Sequence, residues 1–187
     1  AAIALGVKPG DNVICTPMTF ASSANCIRFC GGNVKFVDIN PKTYLLDLDK
    51  LKETLESAPK GTYKGMVLVD FAGYPHNMEE YRKVADEYGM WILEDACHAP
   101  GAYFIDSTGE KVFCGSGKYS DITVFSFHPV KHITTGEGGM ACTQNKEYYE
   151  KMALYRTHGI THDVDKLQRK DGLWYYEMQE LGYNYRI

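Results

Sequence analysis

One lysine, Lys131, follows an apolar segment and precedes a glycine-rich turn. Residues 124–127 predict the end of a buried strand, and Pro129 stops strand pairing because proline has no N–H. Loops at the carboxyl ends of strands are where α/β enzymes place reacting groups. A desolvated lysine there has a lowered pKa and becomes a nucleophile suited to Schiff-base formation with a carbonyl. Taken alone, however, the pattern is more typical of a loop lysine that contacts solvent.

Two other polar residues favour the Schiff-base interpretation of Lys131. Ser126 lies five residues before Lys131 and can offer its hydroxyl to a phosphate held at the strand end. Asp95 follows the apolar segment 90–94, where it either caps the following turn or pairs with a protonated pyridine nitrogen. An acid at one strand end and a lysine at a later one form the arrangement that pyridoxal 5'-phosphate (PLP) requires.

Three segments carry a resemblance to a known family. Residues 94–102 (EDACHAPGA), 125–131 (FSFHPVK) and 136–140 (GEGGM) are similar, in order and spacing, to the DegT-type nucleotide-sugar aminotransferases. The resemblance extends over nearly the whole chain and implies an α/β, three-layer, aspartate-aminotransferase-like fold (PLP fold type I). It implies a mostly parallel sheet of seven strands, one of them antiparallel. Within the family, residues 125–139 are most similar to the branch that makes altrosamine nucleotides for pseudaminic acid.

The resemblance also assigns roles in binding PLP. It implies that Lys131 holds the cofactor as a Schiff base and acts as the catalytic residue, that Asp95 pairs with the pyridinium, and that Ser126 binds the phosphate. Phe20 is expected to stack on the cofactor ring; otherwise it is a hydrophobic staple at a helix start. His98 is expected near the phenolic oxygen; otherwise it is a core histidine.

One further role implies a dimer with shared active sites. Asn184, in a tyrosine-rich segment, resembles the residue that reaches the partner subunit's cofactor phosphate; otherwise it is an ordinary turn asparagine. Arg186, two residues on, is expected to contact the same region or a diphosphate.

The reaction implied is transamination of a 4-keto-6-deoxy nucleotide sugar with glutamate as amino donor, in pseudaminic acid or related surface-glycan biosynthesis. A sister group replaces the lysine with histidine and dehydrates the sugar, so Lys131 favours transamination. Two alternatives remain. One is a GDP-4-keto-6-deoxymannose 4-aminotransferase of the perosamine type, and the other is a non-catalytic regulator with the PLP fold.

Composition limits the other classes of function. The chain has 187 residues and a net charge of −4, which argues against a nucleic-acid partner, and its apolar stretches are too short for a membrane helix. Its six cysteines do not form a disulfide scaffold, and a reducing cytoplasm is the expected setting. Cys26 and Cys30 lack a second pair with ligand spacing, so no metal site is expected.

The order of predicted elements is that of an α/β domain. Strands are predicted at residues 13–15, 34–38, 65–69, 90–94, 124–127 and 139–143, with helices at 21–29, 48–58, 78–88 and 146–157. This alternation predicts a mostly parallel sheet covered on both faces. Residues 104–119 are predicted to be a polar surface excursion. We expect residues 1–187 to be a partial PLP-binding large domain, with an N-terminal segment and a C-terminal small domain lying outside it.

Overall fold

The structure, a computed structural model, describes residues 1–185. It contains two compact units, residues 1–144 and residues 145 onward. The first unit is built on a six-stranded sheet of order β2-β1-β3-β4-β7-β8, in which β8 alone runs antiparallel to its neighbour. The predicted α/β class with a mostly parallel sheet is confirmed. The resemblance implied seven strands, and the main sheet of the described residues has six.

The elements of the first unit agree closely with the predicted order. They are β1 Asn12–Cys15, α1 Ser22–Phe29, β2 Asn33–Phe36, α2 Leu48–Glu56, β3 Tyr63–Val69, α3 Met78–Tyr88, β4 Trp91–Asp95, β5 Tyr103–Ile105, β6 Lys111–Phe113, β7 Ile122–Ser126 and β8 Gly139–Cys142.

Helices cover the sheet on both faces, which gives three layers. On one face, side chains of β1, β3 and β4 such as Ile14, Leu68 and Ile92 pack in one core cluster with α2 and α3. In the sheet β2 lies on one side of β1 and β3 lies on the other. The crossover from β1 through α1 to β2 therefore runs in the direction opposite to the crossover from β2 through α2 to β3. Because such crossovers are right-handed, α1 lies on the opposite face, where its Ile27 is fully buried.

Local chemistry explains where the helices begin and end. Asp47 caps α2, because its carboxylate accepts hydrogen bonds from the N–H groups of Asp49 and Lys50, both at 3.0 Å. Gly89 ends α3 in the left-handed conformation with φ 66°, which glycine adopts without steric cost. The next strand, β4, therefore starts two residues later.

The centre of the sheet depends on one close approach. Gly65 on β3 pairs with Trp91 on β4, and a Cβ built on Gly65 would lie 2.1 Å from the Trp91 ring. A side chain at position 65 would displace the indole. The glycine therefore allows the Trp91 ring to pack directly against the backbone of β3.

The predicted polar excursion contains a short hairpin. Strands β5 and β6 pair antiparallel within it. Lys118, near the end of this segment, forms ion pairs with Asp106 at 2.7 Å and Glu110 at 2.6 Å and so joins its two ends. The sequence prediction missed the hairpin because three-residue strands give too little alternation to be recognised.

The second unit consists of a helix, a short strand pair and a returning segment. Its elements are α4 Lys146–Arg156, β9 Ile160–Thr161 and β10 Glu177–Met178. Asn145 caps α4, accepting from Glu147 N at 2.8 Å. Gly159 is required between α4 and β9, because a Cβ there would lie 1.9 Å from the carbonyl oxygen of Glu180. Among the described residues, no helix has the length and apolar character needed to cross a bilayer.

A carboxyl group, that of Glu94, is buried beneath the end of β4. Its Oε2 accepts hydrogen bonds from Ser120 Oγ at 2.9 Å and Thr123 Oγ1 at 2.6 Å. Polar atoms of Asp70, Glu94 and Cys114 lie within 4.8 Å of one another. Burial, followed by the neighbouring Asp70 carboxylate, raises the pKa of Glu94 to about 7. Glu94 therefore retains its proton where an exposed glutamate has lost it.

Glu94→Gln is expected to flatten the dependence of stability on pH between about 4.5 and 7. The native pKa is raised, so the native state binds more protons than the unfolded state in this range, and stability falls as pH rises through it. The glutamine amide accepts the same hydrogen bonds and has no proton to lose. Relative to the unsubstituted full-length protein, the variant should gain roughly 1–3 kcal/mol between pH 5 and pH 8, measured by urea unfolding.

The control is Glu53→Gln, which removes an exposed carboxyl on α2. It should leave the slope with pH unchanged. A Glu94→Gln variant whose stability falls with pH as steeply as that of the control would show that Glu94 is ionised throughout.

Candidate active site

A cavity of about 360 Å³ opens at the carboxyl ends of the strands. Five of the six residues predicted as site residues line it, and all five belong to the first unit: Phe20, Asp95, His98, Ser126 and Lys131. They come from three places far apart in sequence, namely the segment after β1, the end of β4 with the turn that follows it, and the end of β7 with the loop that follows it. A parallel sheet brings these ends to one edge, which is why the predicted residues meet.

Lys131 presents a primary amine to this cavity. Its backbone N–H donates to His128 O at 2.9 Å, which tightens the chain directly after β7. Its side chain is half-buried, and no carboxylate among residues 1–185 lies within ion-pair distance of its ammonium group. Lys118, by contrast, is held by two carboxylates. The amine of Lys131 is thus available to react.

The turn after Lys131 needs its glycines. Phe127 N donates to Gly138 O at 2.8 Å, so the loop returns directly onto the strand that it left. A Cβ on Gly138 would lie 2.1 Å from Thr135 Oγ1, and one on Gly139 would lie 2.9 Å from Phe125 O. Larger residues at either position would open the loop and move Lys131.

Asp95 is held by contacts on both sides. Its Oδ2 accepts a hydrogen bond from Ser23 Oγ at 2.6 Å, and its Oδ1 accepts one from Cys97 N at 3.2 Å. Ser23 lies on α1 and is itself within 2.7 Å of Thr19 Oγ1. Each carboxylate oxygen can accept a second hydrogen bond, so Asp95 can still receive a proton donor from a ligand in the cavity.

His98 is a neutral hydrogen-bonding group in this setting. Its Nδ1 accepts a hydrogen bond from Ala72 N at 3.4 Å. Burial, followed by the nearby Lys131 charge, lowers the pKa of His98 below its usual value. The imidazole is therefore uncharged at neutral pH and carries one proton.

Ser126 and Phe20 complete the cavity. Ser126 Oγ accepts from His128 N at 3.3 Å, which leaves the hydroxyl hydrogen to donate to a ligand. The side chain of Phe20 is 75% exposed although it lines the cavity. A large aromatic ring left this exposed beside a cavity can cover the face of a planar ligand.

Cys97 also lines the cavity but does not compete with Lys131 as a nucleophile. Burial, followed by the adjacent Asp95 carboxylate, raises the pKa of the Cys97 thiol strongly. A protonated thiol is a poor nucleophile.

Asn184, the sixth predicted residue, lies in the second unit. Its backbone forms an antiparallel bridge with Thr157, and the neighbouring Tyr183 and Tyr185 rings stack with centroids 5.2 Å apart. The side chain of Asn184 is exposed. Arg186 lies outside the described residues.

The sequence predictions missed Ser23 and Ala72. Ser23 is one of two consecutive serines at a helix start, and no spacing distinguishes the one that faces Asp95. Ala72 contributes only its backbone N–H, which no residue type reveals. Both are recognisable only once the sheet has brought separate loops together.

Comparison with known proteins identifies the family of the chain. Residues 1–187 match the DegT/DnrJ/EryC1/StrS aminotransferase family, and the chain belongs to that family of aminotransferases. It is 41% identical over 186 residues to a UDP-4-amino-4,6-dideoxy-N-acetyl-beta-L-altrosamine transaminase of Campylobacter jejuni, covering 98% of this chain and 44% of that protein. It is 34% identical over 187 residues to a GDP-perosamine synthase of Caulobacter vibrioides, covering 100% of this chain and 45% of that protein.

A solved structure adds information on the fold. The structure of NtdA from Bacillus subtilis with the bound cofactor PMP superposes with a TM-score of 0.77 at 30% identity, covering 98% of this chain and 37% of that one. The chain thus spans less than half the length of each of these relatives.

Ser23→Ala is expected to destabilise the full-length protein by roughly 1.5–3 kcal/mol, because it removes a hydrogen bond from a buried hydroxyl to a half-buried carboxylate. Urea unfolding at neutral pH measures the change. The matched control is Ser22→Ala, the same substitution at the exposed neighbouring position, which should change the unfolding free energy by less than about 0.5 kcal/mol. Equal effects of the two substitutions would contradict a specific bond between Ser23 and Asp95.

Proposed function

We propose that the full-length protein is a PLP-dependent aminotransferase that aminates the 4-keto carbon of a 4-keto-6-deoxy nucleotide sugar, with glutamate as amino donor. The observation that carries the proposal is the meeting of the Lys131 amine and the Asp95 carboxylate in one cavity. Membership of the DegT/DnrJ/EryC1/StrS aminotransferase family supports the same reaction type.

The residues present fit PLP by their chemistry. PLP has an aldehyde, a basic ring nitrogen, a planar aromatic face and a phosphate. The cavity offers an unpaired amine, a carboxylate, an exposed aromatic ring and a hydroxyl donor in Lys131, Asp95, Phe20 and Ser126. The bound PMP of the related NtdA structure supports the same assignment.

When bound, PLP supplies an aldehyde that links to amines and a ring that withdraws electrons from the carbon attached to that nitrogen. Lys131 Nζ would hold the cofactor through its aldehyde and, as a free amine, would serve as the base that moves a proton. The Asp95 carboxylate would accept a hydrogen bond from the protonated ring nitrogen. Ser126 Oγ would donate to the phosphate, and Phe20 would cover the ring and exclude water.

The substrate assignment rests on the relatives. The altrosamine transaminase of Campylobacter jejuni supports a UDP-linked sugar and a place in pseudaminic acid or related surface-glycan biosynthesis. The GDP-perosamine synthase supports the alternative, a GDP-4-keto-6-deoxymannose 4-aminotransferase. A non-catalytic regulator is disfavoured because it has no need to keep both Lys131 and Asp95 in one cavity.

We also propose a homodimer with shared active sites in a cytoplasmic setting. Asn184 is the residue expected to reach the partner subunit's cofactor phosphate. Its exposed side chain is compatible with a contact made to another subunit. All six cysteines are free, which supports a reducing compartment.

Borohydride treatment of the full-length protein with PLP is expected to fix the cofactor onto Lys131. Peptide mapping by mass spectrometry identifies the labelled residue. Lys131→Ala should lose the label and the transaminase activity, whereas Lys118→Ala, which removes a lysine already paired with carboxylates, should keep both. A label on another lysine would contradict the central assignment. Assays with UDP- and GDP-4-keto-6-deoxy sugars then separate the two substrate classes.

Mixing subunits tests the shared site. Lys131→Ala and Asn184→Ala full-length proteins should each be impaired when pure, the latter by weaker retention of PLP, roughly 1.5–3 kcal/mol for a lost bond to a charged group. In their heterodimer one site carries both lesions and the other carries neither, so mixing should restore activity. Demonstrated heterodimers without a gain in activity would show that Asn184 does not serve the partner's site.

A further inference from the structure

We propose that Asp70 is a positioning residue that closes the loop between β3 and α3, so that Ala72 N–H fixes His98 in the tautomer with its proton on Nε2. The inference deepens the proposed function, because it concerns a residue of the same cavity. Its tautomer claim, however, holds for the protein whether or not a cofactor is bound.

The loop is closed by a fully buried pair. Asp70 Oδ1 accepts two hydrogen bonds from His76, one from the backbone N–H at 3.0 Å and one from Nδ1 at 2.9 Å. Both side chains are 0% exposed. At the same time Asp70 N donates to Asp95 O at 3.0 Å. One residue thus ties the loop to the end of β4 and to the start of α3.

Between these anchors the backbone is strained. Ala72 has φ 54°, a left-handed conformation that a residue with a Cβ adopts only when its surroundings impose it. Gly73 follows with φ 83°, and its N–H donates to Asp70 O at 3.1 Å. A Cβ on Gly73 would lie 2.9 Å from the carbonyl oxygen of His98, so the loop packs directly on the backbone of that residue.

This conformation directs the N–H of Ala72 to Nδ1 of His98, at 3.4 Å. The ring of Phe71, also in the loop, meets the imidazole edge-on at a centroid distance of 6.2 Å. A proton on Nδ1 would oppose the N–H of Ala72, donor against donor. In the neutral ring the proton must then lie on Nε2.

The charged and titratable groups around His98 favour the same neutral state. Lys131 and His132 oppose a positive charge on the ring, as burial does, and only Asp95 favours one. A neutral His98 with a fixed Nε2–H can donate to an anionic oxygen of a ligand in the cavity. Asp70 would act on that donor indirectly, by holding the loop whose Ala72 N–H binds His98 Nδ1. Asp70 itself is not among the residues that line the cavity.

Nitrogen-15 NMR of histidine-labelled full-length protein tests the proposal without a cofactor, because the two ring nitrogens give different shifts in the two tautomers. The His98 signals are assigned by their loss in His98→Gln. In the unsubstituted protein the Nε2–H form should exceed the Nδ1–H form by about tenfold or more, as a difference of ~1.4 kcal/mol requires. An excess of the Nδ1–H form overturns the proposal at once.

Three variants test the role of Asp70. Asp70→Ala removes both closing bonds and should bring the tautomers towards an even mixture. Asp70→Asn keeps an acceptor oxygen for His76 and should preserve the excess of Nε2–H. Ala72→Gly keeps the N–H at a residue that accepts positive φ and should also preserve it. A folded Asp70→Ala protein with an unchanged tautomer ratio overturns the proposal.

If Asp70→Ala does not fold, His76→Ala provides the second route. It leaves the Asp70 carboxylate in place and removes one of the two closing bonds, and it should also reduce the excess of Nε2–H. An unchanged ratio there overturns the proposal. Failure of borohydride labelling at Lys131 would contradict the proposed function and leave this NMR result standing, so the two failures are distinguishable.

Discussion

Two consecutive acids end the central strand β4, and the pleat of the strand sends their side chains to opposite faces of the sheet. Glu94 meets Ser120 and Thr123 under the sheet, whereas Asp95 meets Ser23 of α1 and faces the cavity. Burial, followed by the neighbouring Asp70 carboxylate, raises the pKa of Glu94 to about 7, so Glu94 holds its proton below neutral pH. On the core side the neighbouring carboxylate is that of Asp70, whose charge favours the protonated form of Glu94.

The loop after β7 holds Lys131 in place and leaves its amine accessible from the cavity. The loop folds back onto its own strand through the bond from Phe127 N to Gly138 O. Glycines at positions 138 and 139 permit this return, because any Cβ there would meet Thr135 or Phe125. The amine of Lys131 is therefore placed by backbone geometry, and its side chain needs no ion pair to hold it.

The sequence predicted the architecture and most of the cavity because both follow from periodicity and residue type. Apolar runs ending at Asp95 and Ser126 indicated strands whose carboxyl ends would meet, and the parallel sheet brings them together. What could not be predicted depends on contacts between loops. The bond from Ser23 to Asp95 and the left-handed backbone of Ala72 have no signature in a single sequence. The roles of the site residues, and that of Asn184 above all, stay predictions.

The two faces of the sheet are linked through backbone as well as through charge. Asp70 faces the core side near Glu94, yet its N–H donates to the carbonyl oxygen of Asp95. The first N–H after β4, that of Ala96, donates to Val124 O at 3.0 Å, and Asp95 itself pairs with Val69 of β3 and Val124 of β7, so it is fixed between these two strands. A change in the protonation of Glu94 next to Asp70 therefore acts on the same backbone that positions Asp95 and His98. Burial of Glu94 raises its pKa to about 7, so this coupling operates around neutral pH, where Glu94 exchanges its proton.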